Sequence, residues 1–275
     1  MGIYLRPAEL DEALKALAAQ RLTVLAGGTD FFPARVGKPL DDDVLDITAL
    51  AALRGIADTG ASHRIGALAT WTDVIRADLP PYFEGLKQAA REIGGVQVQN
   101  AGTVAGNVCN ASPAADGMPN LIALDAEVEL ASNAGRRIMP LASFVTGNRK
   151  TQRRPDEMVT ALLIPKPARP ARSTFLKLGA RKYLVISIVM VAAVVETEGD
   201  RIARARIAVG SCSAVAQRLP ALEAALQGKV LSSAAKAVTT AHLAPLAPID
   251  DVRGTADYRR DAALTLVRRA LKDLA

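Results

Sequence analysis

The chain has 275 residues, 50% of them hydrophobic, with 34 Lys and Arg against 28 Asp and Glu. That length and composition provide for a substantial core and leave room for two domains. The net charge of +6 is spread thinly and aromatics reach only 4%, which argues against a nucleic-acid reader, whose basic side chains cluster among aromatics.

Pro7 opens a predicted helix over 7–20, in which Leu10, Ala13, Leu14 and Leu17 keep helical spacing. A short strand follows over 21–27, then strands at 43–47, 63–68, 126–132, 136–141 and 157–165, with helices at 70–78 and 80–93. Pro165, Pro167 and Pro170 interrupt regular structure, and the character of the chain changes after them. The expected division is 1–167 and 168–275. Beyond it the pattern predicts strands at 173–182, 185–196 and 201–211 and helices at 221–228, 232–243 and 256–274. The last helix sets Leu264, Val267, Leu271 and Leu274 on one side. No repeat period is present, and the fold class is α+β. Charges begin at the sixth residue with no apolar core of signal-peptide length, so the expectation is a cytoplasmic protein. The longest apolar run, Tyr183 to Val195, is too short to span a bilayer and reads as a buried strand, without membrane insertion. Cys109 and Cys212 fit a reducing compartment and cannot hold a four-thiolate iron–sulfur cluster by themselves.

Two stretches stand out as bare. After the first strand, "LAGGTDF" places Gly27 and Gly28 beside the Thr29 hydroxyl, so that successive amides can face one anion. About 75 residues later, "NAGTVAGNVCNASPAADG" is again built of small and hydrogen-bonding residues. Two such loops suit an extended pyrophosphate ligand with groups on either side, although either one alone also reads as a tight turn. Neither loop is a P-loop, and no G-x-G-x-x-G opens a helix after the first strand, which disfavours a Rossmann site.

Taken together, "LAGGTDFFP", "AGTVAGNVCNASPAADGMPNLIALDAEVEL", "RKTQRRPDEMVTALLIP", "FLKLGARKYLVISIVMVAA" and "IDDVRGTADYRRDAALTLVRRAL" resemble the FAD-binding medium subunit of molybdenum hydroxylases. That family includes xanthine dehydrogenase and carbon monoxide dehydrogenase. The resemblance covers nearly the whole chain. It implies a two-part FAD-binding domain of the p-cresol methylhydroxylase and vanillyl-alcohol oxidase type. A smaller C-terminal α+β domain follows, with an antiparallel sheet and helices.

By position, the resemblance makes Leu25, Ala26, Gly27, Gly28, Thr29, Asp30 and Phe31 the first cradle of FAD, and Thr103, Val104, Ala105, Gly106 and Asn107 the second. It brings Asp116 to the cofactor's sugar and phosphate region, Val159 to the cofactor through its backbone, and Lys177 to the flavin ring. Asp116 also reads as an N-cap for the helix that follows, and Lys177 as a surface lysine. The family's second loop has two consecutive glycines where this chain has Ala105; a positive φ there would cost on the order of 1 kcal/mol. Ile93 stands where some relatives carry an aromatic near the cofactor's base.

His63 and His242 have no acidic or cysteine neighbours at ligand spacing and read as surface or capping residues. Trp71 reads as a core aromatic, and Cys109, inside the second stretch, as a packing residue or one that tunes a nearby cofactor. The basic run from Gly147 to Glu157 is a solvated loop or a dock for an acidic partner.

With no catalytic set for substrate chemistry in the chain, the resemblance implies a division of labour. A large molybdenum-cofactor subunit would oxidise substrate, and a small subunit with two 2Fe-2S clusters would relay electrons. Non-covalent FAD in this subunit would pass them to an external acceptor, in a heterotrimer or its dimer, a heterohexamer. A free-standing FAD oxidoreductase of the same fold and a structural subunit with a decayed flavin site are the alternatives.

Overall fold

β1 (Tyr4–Leu5), α1 (Leu10–Ala19) and β2 (Thr23–Leu25) lead into β3 (Val44–Asp46), and the three strands form a parallel sheet in the order β1-β3-β2. In this computed structural model, which describes residues 2–37, 39 and 41–275, α1 buries Ala13, Leu14 and Leu17, as its spacing predicts. The hairpin of β4 (Ile56–Asp58) and β5 (Ser62–Gly66) precedes α2 (Trp71–Arg76). Thr70 and Asp73 close a reciprocal capping box at the start of α2. Four helices follow in α3 (Glu84–Glu92), α4 (Val96–Ala101), α5 (Val104–Asn110) and α6 (Gly117–Ala123). Next come β6 (Glu127–Ser132), β7 (Gly135–Pro140), α7 (Leu141–Phe144), the small pair β8 (Val145–Gly147) and β9 (Lys150–Thr151), and β10 (Met158–Pro165). β10 lies between β5 and β6, antiparallel to both, in a five-stranded sheet ordered β4-β5-β10-β6-β7.

The segment 166–170 connects β10 to β11 (Ala171–Leu178), which begins a second antiparallel sheet with β12 (Val189–Glu198), β13 (Arg201–Gly210) and β14 (Gln217–Arg218). α8 (Pro220–Leu226) and α9 (Ala256–Asp273) cover one face of it, and α3 and α6 cover the other. This double cover explains why β12 shows no polar alternation. Val189, Val191, Ala193 and Val195 belong to the C-terminal core, whereas Met190, Ala192 and Val194 join the N-terminal one. Each fully buried Val side chain contributes roughly 1.5–3 kcal/mol, so one strand stabilises both cores.

The structure departs from the sequence reading at several places. The run from Tyr183 to Val195 is strand only from Val189; Tyr183, Leu184 and Ile186 are exposed, in a turn where Arg181 donates to the Leu184 carbonyl and Leu184 takes a φ of 51°. The segment 232–243 is two 3-10 helices, Leu231–Ala237 and Thr240–Leu243, because the β-branched sequence Val238, Thr239, Thr240 disfavours helix there. His63 is buried rather than exposed, with its Nδ1 2.9 Å from the Tyr82 hydroxyl and its ring 5.1 Å from that of Phe83. The second bare stretch is largely helical, taking in the end of α4 and all of α5. Trp71 is in the core, and His242 completes a capping box with Thr239.

Candidate functional site

The first bare loop leaves β2 at Leu25, which is buried, and passes through Ala26 to Gly27. A Cβ on Gly27 would lie 1.8 Å from the Ala101 carbonyl oxygen and 3.0 Å from Gly102 Cα. Only hydrogen can fit there, so the first loop touches the turn between α4 and α5 backbone to backbone. Gly28 takes a φ of +71°, a left-handed conformation that glycine adopts without steric cost. A Cβ on Gly102 would meet Thr29 Oγ1 at 3.2 Å. Among the described residues, the N–H groups of Gly27, Gly28 and Thr29 find no hydrogen-bond acceptor. Asp30 is exposed. Phe31 meets Phe32 edge-on at 5.2 Å and carries the Arg35 guanidinium 3.7 Å above its ring, Arg35 being held by Asp42 through two hydrogen bonds.

The second stretch begins at Thr103, whose hydroxyl accepts from the Gly106 N–H at 3.0 Å and caps α5. Val104 and Ala105 are buried in the first turn, while Gly106 and Asn107 are half-buried. Ala105 is helical and does not need a positive φ, so its methyl costs no backbone strain. A Cβ on Gly106 would come 2.7 Å from Thr103 Oγ1 and disturb the cap. Asn107 Oδ1 is buried without any hydrogen-bond partner, an arrangement that costs about 1–3 kcal/mol unless a donor arrives. A Cβ on Gly117 would lie 2.5 Å from the Trp71 ring and 3.1 Å from the same Asn107 oxygen. The start of α6 is thereby pressed against the cradle.

Asp116 precedes α6, and its side chain does not cap that helix. Its carboxylate accepts instead from Lys177 Nζ at 2.7 Å and from Ser187 Oγ at 2.5 Å. Burial raises its pKa above the ordinary carboxylate value, against the opposing pull of Lys177 and Ser187. Lys177 is therefore no surface residue: it stands on β11, its side chain 7% exposed in the ion pair. Lys177 also lines an open cavity of about 540 Å³ with Gln88, Arg91, Arg181 and Lys182. Val159 is buried on β10, beside a register shift between Val159 and Ala161, and α5 packs against that strand. Cys109 is not packed but open to solvent.

Three features escaped the sequence reading. Ser187 is the lone serine in an otherwise apolar run, and a buried hydroxyl in such a run needs a partner; that was its available signal. Arg259, within "VRGTADYRR", is buried and donates to the carbonyls of Ile188 and Ser211 and to Asp251. In the basic run, Arg149 donates to Asn110 Oδ1 at 2.6 Å, so part of that run lies against the C-terminal end of α5. Among the described residues, no group of three or more His, Cys, Asp or Glu side chains is placed to hold a metal ion. No helix among them is long and apolar enough to cross a membrane.

This chemistry fits FAD: amides without acceptors, a carbonyl oxygen without a donor, a hydroxyl and an ionisable pair along one path. The chain resembles known flavoproteins along its whole length. The family model described as the FAD binding domain in molybdopterin dehydrogenase matches residues 1–167, and that of the CO dehydrogenase flavoprotein C-terminal domain matches 174–274. The glyceraldehyde dehydrogenase medium chain of Sulfolobus acidocaldarius is 30% identical over 276 residues, covering 99% of this chain and 98% of that one. The putative xanthine dehydrogenase FAD-binding subunit of Escherichia coli is 30% identical over 277 residues, 98% of this chain and 94% of its own. Among solved structures, reconstituted CO dehydrogenase from Oligotropha carboxidovorans superposes with a TM-score of 0.91 at 27% identity, covering 99% of this chain and 96% of that one. On this evidence the chain belongs to the family of FAD-carrying flavoprotein subunits of molybdenum hydroxylases.

Proposed function

We infer that this chain binds FAD non-covalently across both cradles. Its role is that of an electron-transfer subunit, taking electrons from the 2Fe-2S clusters of a partner and passing them to an external acceptor. The observation that carries this reading is the contact of Gly27 with Ala101 and Gly102, which makes one continuous wall of the two bare stretches. One extended ligand can then meet the free amides of the first and the unpartnered Asn107 of the second.

In this reading Leu25 to Phe31 and Thr103 to Asn107 hold the pyrophosphate and its neighbours. Asp116, Lys177 and the backbone at Val159 line the remainder. FAD, when bound, supplies the exchange between two-electron and one-electron chemistry. The protein's own residues bind it, orient it and limit its contact with water. A two-part FAD domain of the p-cresol methylhydroxylase type over 1–167, followed by a C-terminal domain over 168–275, is the organisation this requires. Ala105 speaks against a decayed site, since it sits in helix without strain.

Neither histidine is available for a covalent link, because His63 is buried against Tyr82 and Phe83 and His242 caps a 3-10 helix. The partners are a large molybdenum-cofactor subunit and a small 2Fe-2S subunit, in a cytoplasmic heterotrimer or its dimer. The exposed side chains of Tyr183, Leu184 and Ile186, with Val96 65% exposed and Leu184 close to Gly95, give an apolar strip of the kind that partners cover.

Acid denaturation of the yellow protein should leave the flavin in the supernatant; colour kept by the precipitate would contradict a non-covalent site. Copurification from the native host should bring molybdenum and iron with this chain. Sustained turnover of purines, aldehydes or aromatic heterocycles by the metal-free chain alone would overturn the electron-transfer reading.

A further inference from the structure

Three separate segments meet at one carboxylate. Asp116 comes from the turn before α6, Lys177 from β11 and Ser187 from the entry to β12; each is at least nine-tenths buried as a side chain or residue. A carboxylate offers about four acceptor positions. Lys177 takes one on Oδ2 and Ser187 one on Oδ1, which leaves capacity for a ligand. From the α6 side, Asn120 Nδ2 donates to the Asp116 carbonyl and fixes the backbone. Lys177 is the charged group that faces the carboxylate.

Ser187 is itself held in place. Arg259 Nη1 donates to the adjacent Ile188 carbonyl at 2.8 Å and to the Ser211 carbonyl at 3.1 Å, while Nη2 donates to Asp251 at 2.6 Å. The Ser211 N–H in turn donates to the Pro113 carbonyl at 3.1 Å, in the loop between α5 and α6. A polar chain thus runs from the "VRGTADYRR" segment to the loop that carries Asp116.

From this geometry we propose that Ser187 is a positioning residue for FAD. With Lys177 it holds the Asp116 carboxylate ionised and fixed, as an acceptor for a hydroxyl or ring N–H of the cofactor. Arg259 supports it by fixing the backbone next to Ser187. This rests on the FAD reading above. The physical need is specific: a carboxylate in a desolvated site takes up a proton or turns toward another donor unless hydrogen bonds to its charged form hold it.

The test titrates FAD into the full-length apo chain, followed by flavin absorbance and fluorescence, at pH 8 and pH 6, alongside thermal melts of the apo protein. Ser187→Ala should weaken FAD binding about tenfold at pH 8, the value of one hydrogen bond to a charged group, and by more at pH 6. Ser187→Thr, which keeps the hydroxyl, should restore affinity. Asp116→Asn should bind weakly with the pH dependence gone. If Ser187→Ala lowers only the apo melting temperature while FAD affinity and its pH profile match the wild type, the cluster is a latch between domains and the proposal falls. A wild-type chain that binds no FAD under these conditions would instead overturn the cofactor reading beneath it.

Discussion

Asn107 in the N-terminal half and Glu196 in the C-terminal half each bury a side-chain oxygen that lacks a hydrogen-bond donor, yet the two deficits differ in meaning. Around Asn107 the chain has removed side chains: Gly106 adjoins it, and Gly117 leaves its Oδ1 where a Cβ would crowd it. Around Glu196 the chain has added charge: Arg206 approaches its carboxylate to 3.1 Å and Arg204 to 3.9 Å, and both arginines also reach Asp125. An unpartnered buried atom therefore points to a ligand where the surrounding backbone is bare, and to an ion-pair network where the surroundings are arginine. The first region is shaped for something absent from the chain; the second is held by its own ion pairs, which tie the end of α6 at Asp125 to the sheet below it.

Breaking the second region should cost stability and little else. Arg206→Met would leave Glu196, which is 2% exposed, as a buried charge facing only the more distant Arg204. Removing one partner of such a pair costs about 3–5 kcal/mol. Urea unfolding should read that loss, while FAD stoichiometry in the folded fraction stays at the wild-type value. A lost flavin in folded Arg206→Met would mean that the two regions are not separable.

Breaking the first region should have the converse profile. Gly27→Ala places a methyl 1.8 Å from a backbone carbonyl oxygen, and neither backbone can yield locally. Overpacking of this kind costs about 1–3 kcal/mol in stability, and separating the loops should weaken FAD about a hundredfold, or roughly 2.7 kcal/mol. Gly28→Ala sharpens the same point with a smaller effect. Its positive φ costs about 1–2 kcal/mol for an alanine, but the clash is with the ring of Phe32, a side chain 55% exposed that can swing away. FAD titrations of the two variants should rank Gly27→Ala well below Gly28→Ala. Equal losses would show that loop conformation, not the backbone contact, makes the site.

The two regions also differed in how far the sequence disclosed them. α9 was legible almost to its ends because Val267, Leu271 and Leu274 recur at helical spacing and are buried, and periodicity is what sequence reports best. The adjacent glycines of the first loop were visible in the sequence, but a pair after a strand also reads as a tight turn, and the close approach of Gly27 to Ala101 leaves no local mark. α5 was not, since "VAGNVCN" has little propensity or apolar pattern and depends on the Thr103 cap and its packing on β10. The Tyr183–Val195 run misled because composition cannot show that Arg181 ties down Leu184, so that the strand begins only at Val189. Asp116 admitted two local readings, and the partners that decide its role come from 61 and 71 residues further along the chain. Contacts at that separation leave no mark in the neighbouring residues.

The smallest effect concerns acid, and it belongs to the N-terminal half. His63 is buried against Phe83 and Tyr82, and burial lowers its pKa from 6.5, with the Asp58 charge opposing and Lys166 assisting. A depressed folded pKa means that the neutral ring's stability is present above about pH 6.5 and is lost as pH falls through the folded value. In Asp46, Glu129 and Glu157 burial raises the folded value, but hydrogen-bond partners overcome it and hold the value low, so their contribution is lost only below the unfolded carboxylate range near pH 4. Asp116 works with the opposite sign, its raised value favouring the folded state at lower pH. Between pH 7.5 and 5.0 the carboxylates are common to wild type and His63→Gln, so the difference between the two isolates the imidazole. The urea midpoint of the wild type should fall further over that interval than that of His63→Gln, which retains a hydrogen-bonding group for the Tyr82 hydroxyl. Parallel slopes in the two proteins would mean that His63 takes up its proton in place, without disturbing the packing of Tyr82 and Phe83.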